Sequence, residues 1–279
     1  MRLDFTKMNG AGNDFVVLQG AAAAAPLTRT HWRALSDRHR GIGFDQALII
    51  EPPRSAGTAA YYRIVNADGD EVEQCGNGLR CIAELLRLDG RSNGGSITVE
   101  SPAGLHHARL KGAGLVAVDM GEPRFEPGSL PFIATDAGPW HTLDVEGETV
   151  RVAVASMGNP HAVLRVDDVG TAPVERLGPR IERHPSFPRR VNVGFLQVVD
   201  RGHARLRVFE RGVGETRACG TGACAAMAIA RREGLVDDEV RITLPGGDLT
   251  VLWSGPGHAL WLEGPAEVSF RGHVEIGNP

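Results

Sequence analysis

A short motif occurs twice in this chain: Cys75-Gly76-Asn77-Gly78 and, 144 residues further on, Cys219-Gly220-Thr221-Gly222. Polar landmarks before each copy recur in the same order. Asn66 and Glu210 each end an apolar run nine residues ahead of their cysteine, again 144 residues apart. Gln46 answers Asn192, and Asn13 answers Asn159, both at a separation of 146. An ordered set at nearly constant displacement is the mark of a repeat half a chain long, so the 279 residues are expected to form two copies of one fold about a pseudo-twofold axis. Two duplicated domains that share no site are the plainer alternative.

The local pattern within each half is strand-rich. Short or alternating apolar runs bounded by turn residues, at 15–18, 47–50, 61–65, 97–99, 115–118, 150–155, 162–166, 194–199, 206–209, 240–244, 249–253 and 259–262, read as strands. The 36 glycines and 17 prolines suit many strands joined by tight turns. Helices are expected at 28–39, with Thr28 as N-cap and Trp32 and Leu35 on one face, at 79–88 and at 223–232. The class is therefore α+β, not an orderly alternation of strand and helix. The run Ala21 to Ala25 reads as a surface connection. Trp32, Trp140, Trp253 and Trp261 read as structural.

Charge and cysteine usage narrow the function. A net charge of −4 leaves no basic excess for nucleic acid. The first fourteen residues carry Asp4, Lys7 and Asp14 with no apolar run behind them, and nothing approaches a membrane span, so a cytoplasmic protein is expected. The spacings C-x5-C and C-x4-C are not those of a structural zinc site, and no metal is expected. Cys81 and Cys224 fall inside helical stretches and read as packing residues.

Cys75 and Cys219 differ, because each stands just before Gly-x-Gly and a helix. Free N–H groups and the helix dipole lie beside the sulfur, where they favour thiolate and cradle a carboxylate. One such cysteine suits a nucleophile or a redox thiol. Two facing each other across a pseudo-twofold axis suit a thiolate on one side of a carbon and a thiol on the other, which inverts a stereocentre. Only Lys7 and Lys111 are available to hold pyridoxal phosphate, neither in a recognisable motif, and no nucleotide loop has the right context, so no cofactor is expected.

The stretches Lys7-Met8-Asn9-Gly10-Ala11-Gly12-Asn13-Asp14-Phe15, Gln74-Cys75-Gly76-Asn77-Gly78-Leu79-Arg80-Cys81, Met157-Gly158-Asn159-Pro160-His161, Arg190-Val191-Asn192-Val193-Gly194-Phe195 and the long motif from Glu210-Arg211-Gly212 to Cys219-Gly220-Thr221-Gly222-Ala223-Cys224 resemble the diaminopimelate epimerase family over nearly the whole chain. Departures are Asn9 where that family often has histidine, Leu79 where it often has alanine, and Arg217 where leucine is frequent. The resemblance implies two pseudo-symmetric strand-rich domains, each wrapped around a central helix, spanning 1–118 with 265–279 and 119–264. It implies cofactor-free interconversion of LL- and meso-diaminopimelate in lysine and peptidoglycan precursor synthesis, by a homodimer. Cys75 would be the base on the LL isomer and Cys219 the acid, with the amides of Gly76, Asn77, Gly220 and Thr221 on the α-carboxylate. Asn66, Glu210 and Arg211 would contact charged groups of the substrate, Asn13, Gln46, Asn159 and Asn192 would orient the rest, and His161 and Glu210 would tune the thiols. A proline-racemase-like enzyme shares this chemistry, but the long motif and the paired asparagines fit a longer, doubly charged substrate better. A phenazine-pathway relative would lack the cysteine pair, a binding module would not explain it, and a thiol redox protein usually holds its cysteines close in sequence.

Overall fold

The computed structural model describes residues 1–72, 75–92, 95–126, 128, 130–134 and 138–277; Gln74 of the first cysteine motif lies outside them. The chain divides into two compact units, Met1–Asp119 with Gly264–Pro279, and Met120–Glu263. The first contains β1 (Arg2–Gly10), β2 (Asn13–Gln19), α1 (Arg29–Ser36), β3 (Gln46–Glu51), β4 (Tyr61–Asn66), β5 (Glu71–Val72), α2 (Gly76–Leu88), β6 (Ser96–Ser101), β7 (Gly104–Gly112) and β8 (Leu115–Asp119). The second contains β9 (Trp140–Val145), β10 (Glu148–Ser156), β11 (Pro160–Arg165), α3 (Val174–Glu182), β12 (Asn192–Asp200), β13 (His203–Glu210), β14 (Gly214–Thr216), α4 (Gly220–Arg232), β15 (Glu239–Leu244) and β16 (Gly247–Leu252). β17 (Trp261–Pro265) pairs with β16, and β18 (Glu267–Glu275) returns to pair with β1.

The repeat seen in the sequence is present strand by strand. β2 runs parallel to β3 with Phe15 opposite Gln46, and β11 runs parallel to β12 with His161 opposite Asn192. β4 meets β5 with Ile64 opposite Val72, and β13 meets β14 with Val208 opposite Thr216. After each of these comes a helix of thirteen residues, α2 or α4, with Cys75 or Cys219 as its N-cap.

Each unit uses both faces of its sheet, because side chains alternate along a strand. Val16, Leu18, Ala47, Ile49 and Val65 join Trp32 and Leu35 of α1 in one apolar cluster. Phe15 and Leu48, on the opposite face, lie against Gly78 at the start of α2. The helix α2 touches β1, β2, β3, β7, β8 and β18, and α4 touches β10, β11, β12, β13, β15 and β16. Helices enclosed this way cannot present a polar face to water. The run from Gly76 to Leu86 is accordingly buried throughout, and α4 fills its enclosure with Ala223, Ala225, Ala226, Ala228 and Ala230. Cys81 and Cys224 are fully buried among them.

The twelve expected strands are all present, with boundaries shifted by a few residues. Among the described residues, six others carry weak signals: β1 and β18 are broken by charged side chains, β7 and β9 are half solvent-facing, and β5 and β14 are two and three residues long. α1 keeps its Thr28 capping box but stops at Ser36, short of the expected His39, because the Asp37 carboxylate accepts from the N–H groups of His39 and Arg40. α2 and α4 start three residues earlier than apolar spacing indicated, since their first turns are glycine-rich. The alanine run forms a 3-10 turn, Gly20–Ala24, and is more than a surface connection, because Ala22, Ala23 and Ala25 pack on the α1 cluster. Trp32 and Trp253 are buried.

The helix α3 escapes a sequence reading because Gly178 and Pro179 interrupt it, although Val174, Leu177 and Ile181 form an apolar stripe. Gly178 is there for contact: a Cβ at this position would lie 2.6 Å from Cγ and 2.8 Å from Cβ of Phe209. Gly178→Ala therefore gains roughly 1 kcal/mol of helix propensity but loses about 1–3 kcal/mol to overpacking, a net destabilisation expected as a lower urea midpoint. An unchanged or raised midpoint would show that α3 does not need this close approach.

Candidate active site

The first unit gathers four of the expected residues, Asn13, Cys75, Gly76 and Asn77, at the start of α2. Cys75 has extended backbone angles, and its sulfur accepts from the Gly78 N–H at 3.4 Å, which satisfies one of the donors left over by the helix start. The first intrahelical bond runs from Leu79 N–H to the Cys75 carbonyl, so helix geometry gives the Gly76 and Asn77 N–H groups no acceptor of their own. Asn13 reaches this point from β2. Its Oδ1 lies 3.9 Å from the Cys75 sulfur and accepts from Asn77 Nδ2 at 3.3 Å. Asn77 is buried, and its Oδ1 has no hydrogen-bond partner among the described residues, which leaves it open to a donor. Gln46 and Asn66 face each other across β3 and β4, with Gln46 Nε2 donating to Asn66 Oδ1 at 2.9 Å.

A different set of groups surrounds the matching helix start in the second unit. The Cys219 thiol donates to Glu210 Oε2 at 3.2 Å and lies 3.7 Å from Thr221 Oγ1. The Thr216 hydroxyl donates to the other carboxylate oxygen of Glu210 at 2.5 Å. Thr221 Oγ1 accepts from Asn159 Nδ2 at 3.2 Å, and Asn159 Oδ1 lies 3.0 Å from His161 Nε2. His161, Asn159, Thr221, Cys219, Glu210 and Thr216 thus form one chain of polar contacts. Asn192 sits beside it, donating to the Pro160 carbonyl and accepting from the Arg211 N–H. The Arg211 guanidinium is exposed and donates to the Arg189 carbonyl.

Electrostatics set Cys219 and His161 apart from ordinary groups of their kind. Burial, and after it the Glu210 carboxylate, push the Cys219 thiol well above the usual range, so it stays protonated. Burial, reinforced by the charge of Arg211, lowers His161 to about 3, so its ring is neutral and donates from Nε2 to Asn159. Cys81, in the first unit, is pushed up to about 12 by burial, as befits a packing thiol.

Three participants were missed by sequence reasoning. Asp45, next to Gln46 in the chain, carries no sequence signal of its own, yet it accepts from Asn13 Nδ2 at 2.7 Å. Thr216 lay within the long motif and gains meaning only from its contact with Glu210. Glu182, a buried carboxylate ending α3, accepts from the Gly212 N–H at 2.8 Å and pins the turn that carries Arg211; no sequence signal marked it.

The fold recurs in solved structures. A phenazine biosynthesis protein from Enterococcus faecalis matches with a TM-score of 0.69 and 14% identity, covering 99% of this chain and all of its own. A hydroxyproline epimerase from Agrobacterium vitis matches with a TM-score of 0.66 and 19% identity, covering 98% of this chain and 91% of its own. Identities this low speak for the architecture alone. In sequence, the diaminopimelate epimerase of Ectopseudomonas mendocina is 53% identical over 277 residues, 99% of this chain and 100% of that protein. That degree of likeness defines the class as an isomerase of the epimerase type. The family model for diaminopimelate epimerase matches residues 5–126 and 153–269, and the chain belongs to that family.

The neutral, buried His161 has a measurable consequence. With the folded pKa near 3 and the unfolded one near 6.5, the unfolded chain binds a proton that the native state refuses. Stability is therefore expected to fall as pH drops from about 6.5 toward 3, and His161→Gln should flatten that slope. Nitrogen-15 NMR should show His161 as the neutral tautomer with the proton on Nε2 at pH 6; a charged ring at that pH would contradict the assignment.

Proposed function

We propose that this chain interconverts LL- and meso-diaminopimelate without a cofactor, Cys75 and Cys219 exchanging the α-proton from opposite sides of the carbon. The observation that carries the reading is a duplication of the helix cap as well as of the fold: each unit ends the same strand pattern in a cysteine-capped helix N-terminus, in a chain of the diaminopimelate epimerase family. Family membership supplies the substrate, which none of the local geometry names.

In the LL to meso direction, the Cys75 thiolate takes the α-proton, the electron pair stays on the carbon and spreads toward the α-carboxylate, and the Cys219 thiol delivers its own proton to the other face. The products are a Cys75 thiol and a Cys219 thiolate, and the reverse reaction exchanges the roles. The Gly76, Asn77, Gly220 and Thr221 N–H groups and the two helix dipoles stabilise charge building on the carboxylate, which does the work of an electron sink. Glu210 raises the proton affinity of Cys219, suiting it to begin as the acid. The orphaned Asn77 Oδ1 and the Asn66 and Glu210 acceptors would take the substrate's ammonium groups, and Gln46, Asn192 and Arg211 would hold the distal end. The reaction belongs to lysine and peptidoglycan precursor synthesis, carried out by a cytoplasmic homodimer, as the family resemblance implies. A racemase for a cyclic imino acid is the second reading, but its support is fold likeness at 19% identity against 53% for the first.

Deuterated water tests the two-base step. At low conversion of LL-diaminopimelate, deuterium is expected at the inverted centre of the product while remaining substrate stays largely unlabelled, because the acid carries a solvent deuteron and the base holds the protium it removed. Label entering substrate as fast as product would mean one base. Cys75→Ala and Cys219→Ala should each lower turnover by at least about a hundredfold, the usual scale of a lost acid or base, whereas Cys81→Ala should act mainly on stability. Efficient turnover of proline in place of diaminopimelate would transfer the assignment to the second reading.

A further inference from the structure

The two asparagines at matched repeat positions are held with opposite polarity. Asn159 turns its amide nitrogen toward the helix start of its unit, donating to Thr221, because His161 engages its oxygen. Asn13 turns its oxygen toward the helix start of its own unit, where Asn77 Nδ2 and the Cys75 thiol meet it. The cause lies behind Asn13. Asp45, just before β3, takes the Asn13 Nδ2 at 2.7 Å and the Asp14 N–H at 3.1 Å on the same oxygen, Oδ2. An ionised carboxylate only accepts, so reversing the Asn13 amide would set two acceptors against each other at hydrogen-bond distance.

Asp45 is itself fixed. Arg38 donates to Asp45 Oδ1 at 2.7 Å and grips both oxygens of Asp14 at 2.9 and 2.8 Å, while the buried Lys7 donates to Asp14 and to the Gly43 carbonyl. Although burial opposes it, the contacts of Asp14 with Arg38 and Lys7 hold its carboxyl down at about 2, so Asp14 stays ionised and keeps its grip on both. The second unit has no counterpart, since the residue matching Asp45 is the buried apolar Val191.

We infer that Asp45 is a positioning residue that locks the Asn13 amide with its carbonyl toward Cys75, giving the first thiol an acceptor neighbour where the second unit presents a donor. An acceptor beside the sulfur favours the protonated thiol and so strengthens the thiolate as a base once formed. The benefit for turnover rests on the role proposed for Cys75; the amide lock itself does not. The charged or titratable groups that bear on this corner are Lys7 from β1, Asp14 from β2, Arg38 from the segment after α1, Tyr62 from β4, and Arg80 and Cys81 from α2.

The test uses the whole protein without substrate, so that its failure is separable from failure of the proposed reaction. The pH dependence of iodoacetamide labelling is read at Cys75 and at Cys219 by peptide mass spectrometry. In Asp45→Asn the amide of Asn13 is free to turn an N–H toward the sulfur, and the Cys75 midpoint is expected to fall by about half a pH unit or more, with Cys219 unmoved. Removing a negative charge lowers a thiol midpoint too, so Asp45→Asn is repeated in an Asn13→Ala background. There the shift should vanish if it passes through the Asn13 amide, and a shift of equal size would overturn the inference in favour of plain charge. Neutron diffraction from the unmodified protein is the second measurement: deuterium on the Asn13 atom facing Asp45 supports the lock, and deuterium on the atom facing Cys75 ends it.

Discussion

A helix buried on every side must satisfy the N–H groups of its first turn from whatever the surrounding strands bring to that end. This requirement governs both units. The glycines that follow each cysteine let the helix start press against the sheet: a Cβ on Gly78 would lie 2.9 Å from Leu48, and one on Gly222 would lie 3.0 Å from Val208. The strand ends carrying Asn13, Gln46 and Asn66, or Asn159, Asn192 and Glu210, are registered so that their polar tips collect near the same place. A fold that buries its helices in this way makes an anion cradle and a thiol environment as a consequence of closing its own hydrogen-bond accounts.

Duplication then leaves room for divergence. The backbone registers of the two units agree almost residue for residue, but the side chains around the cysteines do not. Phe15 stands where His161 does, Asn66 where Glu210 does, and Asp45 where Val191 does. One thiol therefore donates to a carboxylate, and the other lies beside a carboxamide oxygen. One cap copied twice has thus come to hold its two sulfurs in unlike polar surroundings.

Repeat spacing and apolar runs made much of this legible. Offsets of 144 and 146 align β2 with β11 and β4 with β13 from spacing alone, and the alternation in Val16 to Leu18 and Ala47 to Ile49 survives as opposite faces of one sheet. What escaped was whatever lacks a local signal. α3 hid behind Gly178 and Pro179, because propensity is summed over a window while the reason for that glycine is the ring of Phe209, thirty-one residues away. β1 and β18 hid because charged side chains interrupt their apolar pattern, while their backbones pair with each other along nearly their whole length.

The chemical inventory was determined by the sequence itself: which residues carry sulfur, which cap a helix, and which recur at matched positions, since those depend only on residue type and spacing. Tertiary structure decided the directions of the hydrogen bonds. That Cys219 donates to Glu210, that Thr216 steadies that carboxylate, that Glu182 pins the Arg211 turn and that Asp45 orients Asn13 all depend on atoms meeting within about 3 Å after chains distant in sequence have been folded together. Spacing along a chain can place a donor and an acceptor in the same neighbourhood, but only packing fixes which atom of an amide or a carboxylate faces which partner.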